Sequence, residues 1–171
     1  EDGGTIVARL LADPVYRAHL ATRGNRQIVM IGYSDSNKSI GIAASRWLIR
    51  QAQAAMAAAC DAAGVELLVF HGRGGSTSAG GGRTAALVRS APSGVFRGRL
   101  RATEQGESVN ERYGLRPIAL RSFEQSLHAV ALATAGYYGA ETVDRRWSEA
   151  MAVLASTSQT AYRELVHADA A

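Results

Sequence analysis

Apolar residues follow two rhythms along this chain, a helical one and a short continuous one. The segment "TIVARLLADPVYRAHLATRG" (5–24) has helical spacing broken at Asp13-Pro14. Aspartate suits an N-cap and proline the first helical position, so two short helices are expected, the second ended by Gly24. "RQIVMIG" (26–32) is a short, β-branched apolar run closed by glycine and predicts a buried strand. The polar run "YSDSNKSIG" (33–41) predicts a loop. From Gly41 to Ala63 an Ala-rich stretch carries Leu48, Ala52, Met56 and Ala59 at helical spacing, and Gly64 stops it. "VELLVF" (65–70) is a second buried strand. Further along, the pattern predicts a short helix over 84–90, a Pro/Gly turn at "APSG", and a third strand near 99–102 with 103–107 at its end. Ser122 and Gln125 form a capping-box pattern for a helix to about Ala135. After a break at 136–139, a last amphipathic helix over 142–167 uses Val143, Trp147, Met151, Leu154 and Tyr162.

Strand, long helix and strand make a βαβ unit, which predicts parallel strands with a right-handed crossover. The loops 33–40 and 71–83 then leave the same edge of the sheet. In parallel α/β folds, barrels and open sheets alike, that edge is where ligands bind. No internal repeat or low-complexity tract interrupts the pattern.

Composition narrows the class without choosing the chemistry. With 171 residues, 47% hydrophobic and 20% charged, the chain is long enough for one globular domain and is not of disordered composition. The net charge of +4 comes from arginine, because Lys38 is the only lysine. Those arginines are scattered from Arg9 to Arg163 without a basic-aromatic recognition motif, so no nucleic-acid partner is expected. Cys60 is the single cysteine, which excludes an internal disulfide and a cysteine metal cage and reads as a small buried hydrophobe. No stretch spans a bilayer and no signal peptide opens the sequence, so no membrane partner and a reducing cytoplasm are expected.

Three polar clusters fall where strands should end. In "YSDSNK", Asp35 is a hard oxygen ligand with the cation Lys38 three residues on, a pair that suits a divalent metal beside an anion. The same residues also suit ordinary turn and capping chemistry, and both readings stand. In "HGRGGS", Gly72, Gly74 and Gly75 alternate with His71 and Arg73. Backbone N–H groups can converge there on an oxyanion while Arg73 forks onto it. His71, with a pKa able to sit near neutrality, can move a proton or stabilise charge. The alternative is a plain glycine loop with an incidental arginine. It is neither a Walker loop nor a dinucleotide fingerprint. "TEQGES" is the least specific; Glu104 and Glu107 read as a solvated turn, with Arg101 as ion-pair partner. His19, His128 and His167 fall on helices without acidic or cysteine partners at ligand spacing, and read as surface or packing residues.

Taken in order, "VMIGYSDSNK", "LLVFHGRGGS" and "LRATEQGE" resemble the phosphoenolpyruvate carboxylase family, as does the preceding "PVYRAHLATRGNRQ". The resemblance covers about residues 5 to 120 and thins into the C-terminal helices. It implies a segment of a large (β/α)-barrel enzyme, usually a homotetramer, that uses Mg2+ or Mn2+ to carboxylate phosphoenolpyruvate with bicarbonate, giving oxaloacetate and phosphate. Its implied route passes the phosphoryl group to bicarbonate, forming carboxyphosphate and an enolate that captures the released carbon dioxide. Carried over by position, Asp35 matches a metal ligand and Lys38 a lysine placed near bicarbonate. His71 matches the histidine assisting carboxyphosphate breakdown, and Arg73 an arginine on the substrate phosphate, with Gly74, Gly75 and Ser76 continuing the cradle.

Departures from the family pattern lie in the second half of the loop. The family's second arginine, tied to carboxylation and to acidic inhibitors, is replaced by Ala79, and the next arginine is Arg83, which would have to reach in from the far side. Ser39 stands where the family commonly has aspartate. A chain that begins at Glu1 and holds three strands cannot close an eight-stranded barrel. The expected fold class is therefore α/β, a partial (β/α)8 TIM-barrel-like segment of parallel strands with Ala-rich helices, followed by C-terminal helices. Residues 1–171 read as one segment, with core 26–107 and helical part 122–167, inactive in isolation. Two alternatives accompany the carboxylase reading: a divergent relative that binds or hydrolyses phosphoenolpyruvate or a related enolate substrate without carboxylation, and a non-enzymatic binding or scaffold module.

Overall fold

The protein is described here from a computed structural model that covers residues 2–76, 81, 83–138 and 144–168. Helices α1 (Gly3–Ala12) and α2 (Pro14–Thr22) meet at Asp13, whose carboxylate accepts from the backbone N–H groups of Val15 and Tyr16 at 2.8 and 2.9 Å. Such a cap contributes about 1 kcal/mol. Strand β1 (Arg26–Gly32) has the bounds that its apolar run predicts.

The polar run that follows is not a loop. It forms a short helix, α3 (Ser34–Ile40), because its serines bond back into their own turn. Ser36 Oγ donates to the Gly32 carbonyl at 2.6 Å, and Ser39 Oγ donates to the Asp35 carbonyl at 3.0 Å. Gly41, at φ +77°, separates α3 from α4 (Ile42–Ala62), a conformation that L side chains rarely adopt.

Strand β2 (Glu66–Gly72) runs two residues past its predicted end. Pairing decides this: Ile31 and Gly32 of β1 stand opposite His71 and Gly72, and the Thr103 N–H donates to the His71 carbonyl at 2.9 Å from the other side. Next come α5 (Thr84–Ser90) and β3 (Arg101–Ala102), which pairs parallel to β2. The sheet is three-stranded, parallel throughout, in the order β1-β2-β3.

Beyond the sheet, α6 (Gly106–Tyr113) occupies what the sequence reads as a solvated turn. Helix α7 spans Arg116–Thr134, so the capping-box reading of Ser122 is corrected. Pro117 lies in the first turn, and Ser122 sits inside the helix with its hydroxyl directed to the Arg112 carbonyl at 3.4 Å. Helix α8 (Arg145–Arg163) is capped by Asp144 and continues into a π-helical turn, Glu164–Ala168. Its expected start at 142 and Val143 lie outside the described residues. The expected apolar face of α8 is corrected in part: Met151 and Tyr162 pack as expected, on the α4 cluster and on Gly41, but Trp147 and Leu154 do not. Trp147 is 70% exposed and Leu154 is exposed, while Ala155 and Met151 pack on Ala44 and Trp47 of α4.

One face of the sheet carries the core. Leu67 and Val69 of β2 pack with Met56 and Cys60 of α4, Val7 and Leu11 of α1, Val88 of α5, Phe96, and Ala129 and Val130 of α7. The other face is apolar and uncovered: Ile28 is exposed and Met30 is 59% exposed. No helix among the described residues is long and apolar enough to cross a membrane.

Candidate functional site

Side chains alternate across β2, so His71 follows Leu67 and Val69 onto the packed face. It is 0% exposed. Its ring lies stacked against Phe96 at a centroid distance of 5.6 Å and against Tyr33 at 6.2 Å. Nδ1 bonds the Tyr33 hydroxyl at 2.9 Å, whereas Nε2 is buried with no hydrogen-bond partner among the described residues. Burial first, and then the Arg73 charge, lower the imidazole pKa to about 4. The neutral-pH titration expected from the sequence is corrected by this burial: His71 is uncharged at pH 7. The neutral ring carries its proton on one nitrogen only, so Nε2 is a buried donor or acceptor according to the tautomer, without a partner among the described residues. Tyr33 itself is pushed up to about 12, by burial before all else. It is a proton holder at neutral pH, and its ring also lies 4.8 Å beneath the Arg46 guanidinium.

Arg73 leaves the end of β2 and is 4% exposed. Thr103 grips its backbone from both sides, accepting from Arg73 N–H at 2.8 Å and donating to the Arg73 carbonyl at 2.9 Å. The guanidinium approaches Thr84 Oγ1 at 3.4 Å and Glu104 at 4.0 Å. Glu104 is held more closely by Arg112, at 2.9 and 3.1 Å. Burial disfavours the Arg73 charge and Glu104 opposes that effect. Arg101 is not the partner of these glutamates; its guanidinium lies 4.5 Å over the Phe70 ring.

Gly72, Gly75 and Gly81 serve close approach rather than left-handed backbone. A Cβ on Gly72 would stand 2.7 Å from Met30 Cε, and one on Gly81 would collide with the Gly75 and Ser76 carbonyls. Gly81 N–H donates to the Ser76 carbonyl at 2.7 Å and closes the loop on itself. The Arg73 N–H is already bonded to Thr103 and His71, so the N–H groups left for an anion are those of Gly74 and Gly75. Gly75 and Ser76 are exposed, and Arg83 stands at the head of α5, lining one cavity with Arg73. Ala79 lies outside the described residues.

Asp35 and Lys38 are built differently. Both are exposed on α3, and neither side chain makes a hydrogen bond or ion pair among the described residues. Asp35 Oδ2 leans over the end of β1, 3.6 Å from where a Cβ of Gly32 would stand. The helix is pinned from behind: Tyr162 of α8 packs on Gly41, within 3.1 Å of its missing Cβ, and its hydroxyl donates to the Lys38 carbonyl at 3.0 Å. No group of three His, Cys, Asp or Glu side chains gathers among the described residues. The donor chemistry of Asp35 fits one ligand of a hard divalent cation.

Sequence reasoning placed Asp35, Lys38, His71 and Arg73 at one sheet edge, and they are there. No described hydrogen bond or ion pair joins the first two to the last two. The residues it missed are Tyr33, Phe96 and Thr103, which hold His71 and Arg73. Tyr33 and Thr103 lie inside the motifs that carried the reading, but nothing in their spacing reveals that they bond across strands.

Comparison with known proteins adds an independent observation. A profile of the family described as phosphoenolpyruvate carboxylase matches residues 1–171. Phosphoenolpyruvate carboxylase of Xanthomonas oryzae pv. oryzae (strain MAFF 311018) is 51% identical over 167 residues, which is 97% of this chain and 18% of that protein. The Roseiflexus castenholzii enzyme of the same name is 43% identical over 154 residues, 90% of this chain and 16% of the relative. Phosphoenolpyruvate carboxylase 2 of Chlamydomonas reinhardtii is 41% identical over 165 residues, 95% of this chain and 13% of the relative. The chain therefore spans less than a fifth of the length of these curated relatives.

Proposed function

This chain belongs to the phosphoenolpyruvate carboxylase family, and from that premise we propose that the polypeptide containing it carboxylates phosphoenolpyruvate with bicarbonate to oxaloacetate and phosphate. The observation that carries the proposal is the end of β2. A buried, backbone-clamped arginine, two glycine N–H groups without a partner among the described residues and a neutral histidine with an unmatched Nε2 stand beside one another there. That is a donor-rich site suited to the oxygens of a phosphoryl group.

In this reading Arg73 binds the transferring phosphoryl group, with Gly74 and Gly75 N–H and Ser76 completing the cradle and Arg83 approaching from α5. His71 Nε2–H donates to an oxygen of carboxyphosphate as it breaks down, and the Tyr33 hydroxyl keeps the proton on that nitrogen. Lys38 attracts bicarbonate. Asp35 holds Mg2+ or Mn2+ together with ligands from outside this chain; when bound, the ion supplies Lewis-acid stabilisation of a developing enolate oxygen.

Residues 1–171 form one segment of a larger (β/α)8 barrel in this proposal. Its support is the parallel sheet with helices packed on one face and Ile28 and Met30 bare on the other. The strand edges at β1 and β3 call for further strands from the rest of the polypeptide. Phosphoenolpyruvate and bicarbonate are the substrates, and a cytoplasmic homotetramer is the assembly expected of the whole protein.

The test is a coupled assay on the whole polypeptide with Mg2+. Oxaloacetate should form only when bicarbonate is present, and Arg73→Ala should abolish it. Absence of bicarbonate-dependent oxaloacetate would sink the proposal. One observation, Ala79 where the family has arginine, favours a second reading in which phosphoenolpyruvate is hydrolysed without carboxylation. Phosphate released in excess of oxaloacetate would support that reading, and matched yields would exclude it.

A further inference from the structure

Glu104 faces two arginines and treats them unequally. Both of its carboxylate oxygens accept from Arg112 Nη1, at 2.9 and 3.1 Å, whereas Arg73 Nη1 stands 4.0 Å from Oε1. The arginine kept at a distance is the buried one: the Arg73 side chain is 2% exposed and that of Arg112 is 24% exposed. Glu104 cannot move far from Arg73, because it directly follows Thr103, whose hydroxyl clamps the Arg73 backbone from both sides. Arg112 comes from the last turn of α6, and that turn is fixed on α7. The Tyr113 ring lies 5.2 Å from the Phe123 ring, and Ser122 Oγ is directed to the Arg112 carbonyl at 3.4 Å.

Away from water, a guanidinium and a carboxylate attract strongly and close to about 2.7–2.9 Å, often through two parallel N–H···O bonds. A Glu104 closed on Arg73 in that way would occupy the planar fork that the proposed function gives to a phosphoryl group. Without any carboxylate nearby, Arg73 would be a buried cation lacking counter-charge, since burial disfavours its charge and Glu104 opposes that effect. The observed spacing meets both demands. Glu104 stands near enough to support the Arg73 charge, while Arg112 draws its oxygens back from the fork.

We propose that Arg112 is a positioning residue: by taking the Glu104 carboxylate it keeps that group from closing on Arg73, and so sets the affinity for phosphoenolpyruvate. The inference rests on the reading of Arg73 as the residue that binds the phosphoryl group. Arg112 and Glu104 both act through Arg73 rather than on the substrate.

The experiment is a double-substitution cycle on the whole polypeptide with Mg2+. Phosphoenolpyruvate affinity is read by calorimetric titration without bicarbonate, and KM and kcat are read in the coupled assay. Arg112→Gln should weaken phosphoenolpyruvate binding and raise its KM about tenfold, with kcat little changed. In the Glu104→Gln background the same substitution should weaken binding no further, because no carboxylate is left to restrain. A single Arg112 nitrogen makes both bonds to Glu104, so Arg112→Lys should restore most of the affinity. Were Arg112 to act only through its positive charge, the loss would be the same in both backgrounds, and that additivity overturns the proposal. An unchanged affinity in Arg112→Gln overturns it as well. Arg112→Met, which keeps the apolar stem, repeats the cycle if Arg112→Gln does not fold. Binding that follows the expected pattern without oxaloacetate formation fails the carboxylation reading alone. Oxaloacetate formation without the pattern fails this inference alone, and a protein that does not bind phosphoenolpyruvate overturns both.

Discussion

His71 and Arg73, at the end of β2, are held by bonds and ring contacts from Tyr33 at the head of α3, from α5, from the segment before β3 and from the segment after it. Asp35 and Lys38, at the end of β1, touch no polar partner with their side chains among the described residues, although α3 itself is pinned through Gly41 and Tyr162. Both pairs stand on one sheet edge and both belong to the proposed site. On the proposed function, the difference teaches that His71 and Arg73 are set by this chain's own packing, whereas Asp35 and Lys38 present groups whose partners would come from elsewhere. Preorganisation is complete where a phosphoryl group must be met by fixed donors. It is incomplete where a cation would be shared between segments.

If that contrast is right, substitutions on the two sides should fail in different ways. Arg73→Ala should lower kcat/KM by about 10²–10³-fold or more and also lower the melting temperature, because a buried clamp is emptied. Asp35→Asn should raise the metal concentration for half-activation by about 10- to 100-fold with the melting temperature unchanged. A melting temperature that drops equally in both variants would erase the distinction.

The next effect is on stability against pH. His71 titrates near 6.5 in an unfolded chain and at about 4 when folded. Between those values the unfolded chain binds more protons, so stability is full above pH 6.5 and is lost as the pH falls toward 4. The contribution is about 3 kcal/mol. Melting curves of the whole polypeptide should steepen in their pH dependence across that window, and His71→Gln should flatten it. An unaltered slope would mean that the ring is not held neutral.

A smaller loss is expected from Thr103→Val. It removes two bonds to the Arg73 backbone, about 2 kcal/mol, and should reduce turnover while sparing metal activation. The smallest is Tyr162→Phe, about 1 kcal/mol or less. It should raise the metal requirement a few-fold without altering the phosphoenolpyruvate KM. Should it change the KM instead, the pin on α3 would serve the other half of the site.

Much of this architecture was legible along the chain. β1 and α5 have the predicted bounds because their local signals agree with their tertiary setting, and Asp13 caps α2 as its position before Pro14 requires. Errors arose where a local pattern had two physical solutions. Serine next to aspartate suits a turn, but in α3 the same hydroxyls bond back to carbonyls four residues earlier. Ser122 with Gln125 reads as a helix start, yet Pro117 had already begun the helix one and a half turns before. Trp147 satisfies a helical stripe, whereas the contact with α4 is made by Met151 and Ala155.

The sequence by itself determined the family, the parallel βαβ order and the placing of Asp35, Lys38, His71 and Arg73 on one edge. These follow from short-range periodicity and from motifs contiguous in the chain. Only the tertiary structure decided that His71 is buried and neutral, that Tyr33 and Thr103 hold His71 and Arg73, and that arginines from α4 and α5 meet around one cavity. Protonation, preorganisation and charge clustering depend on which residues distant in sequence share a dry space, and no local pattern encodes that.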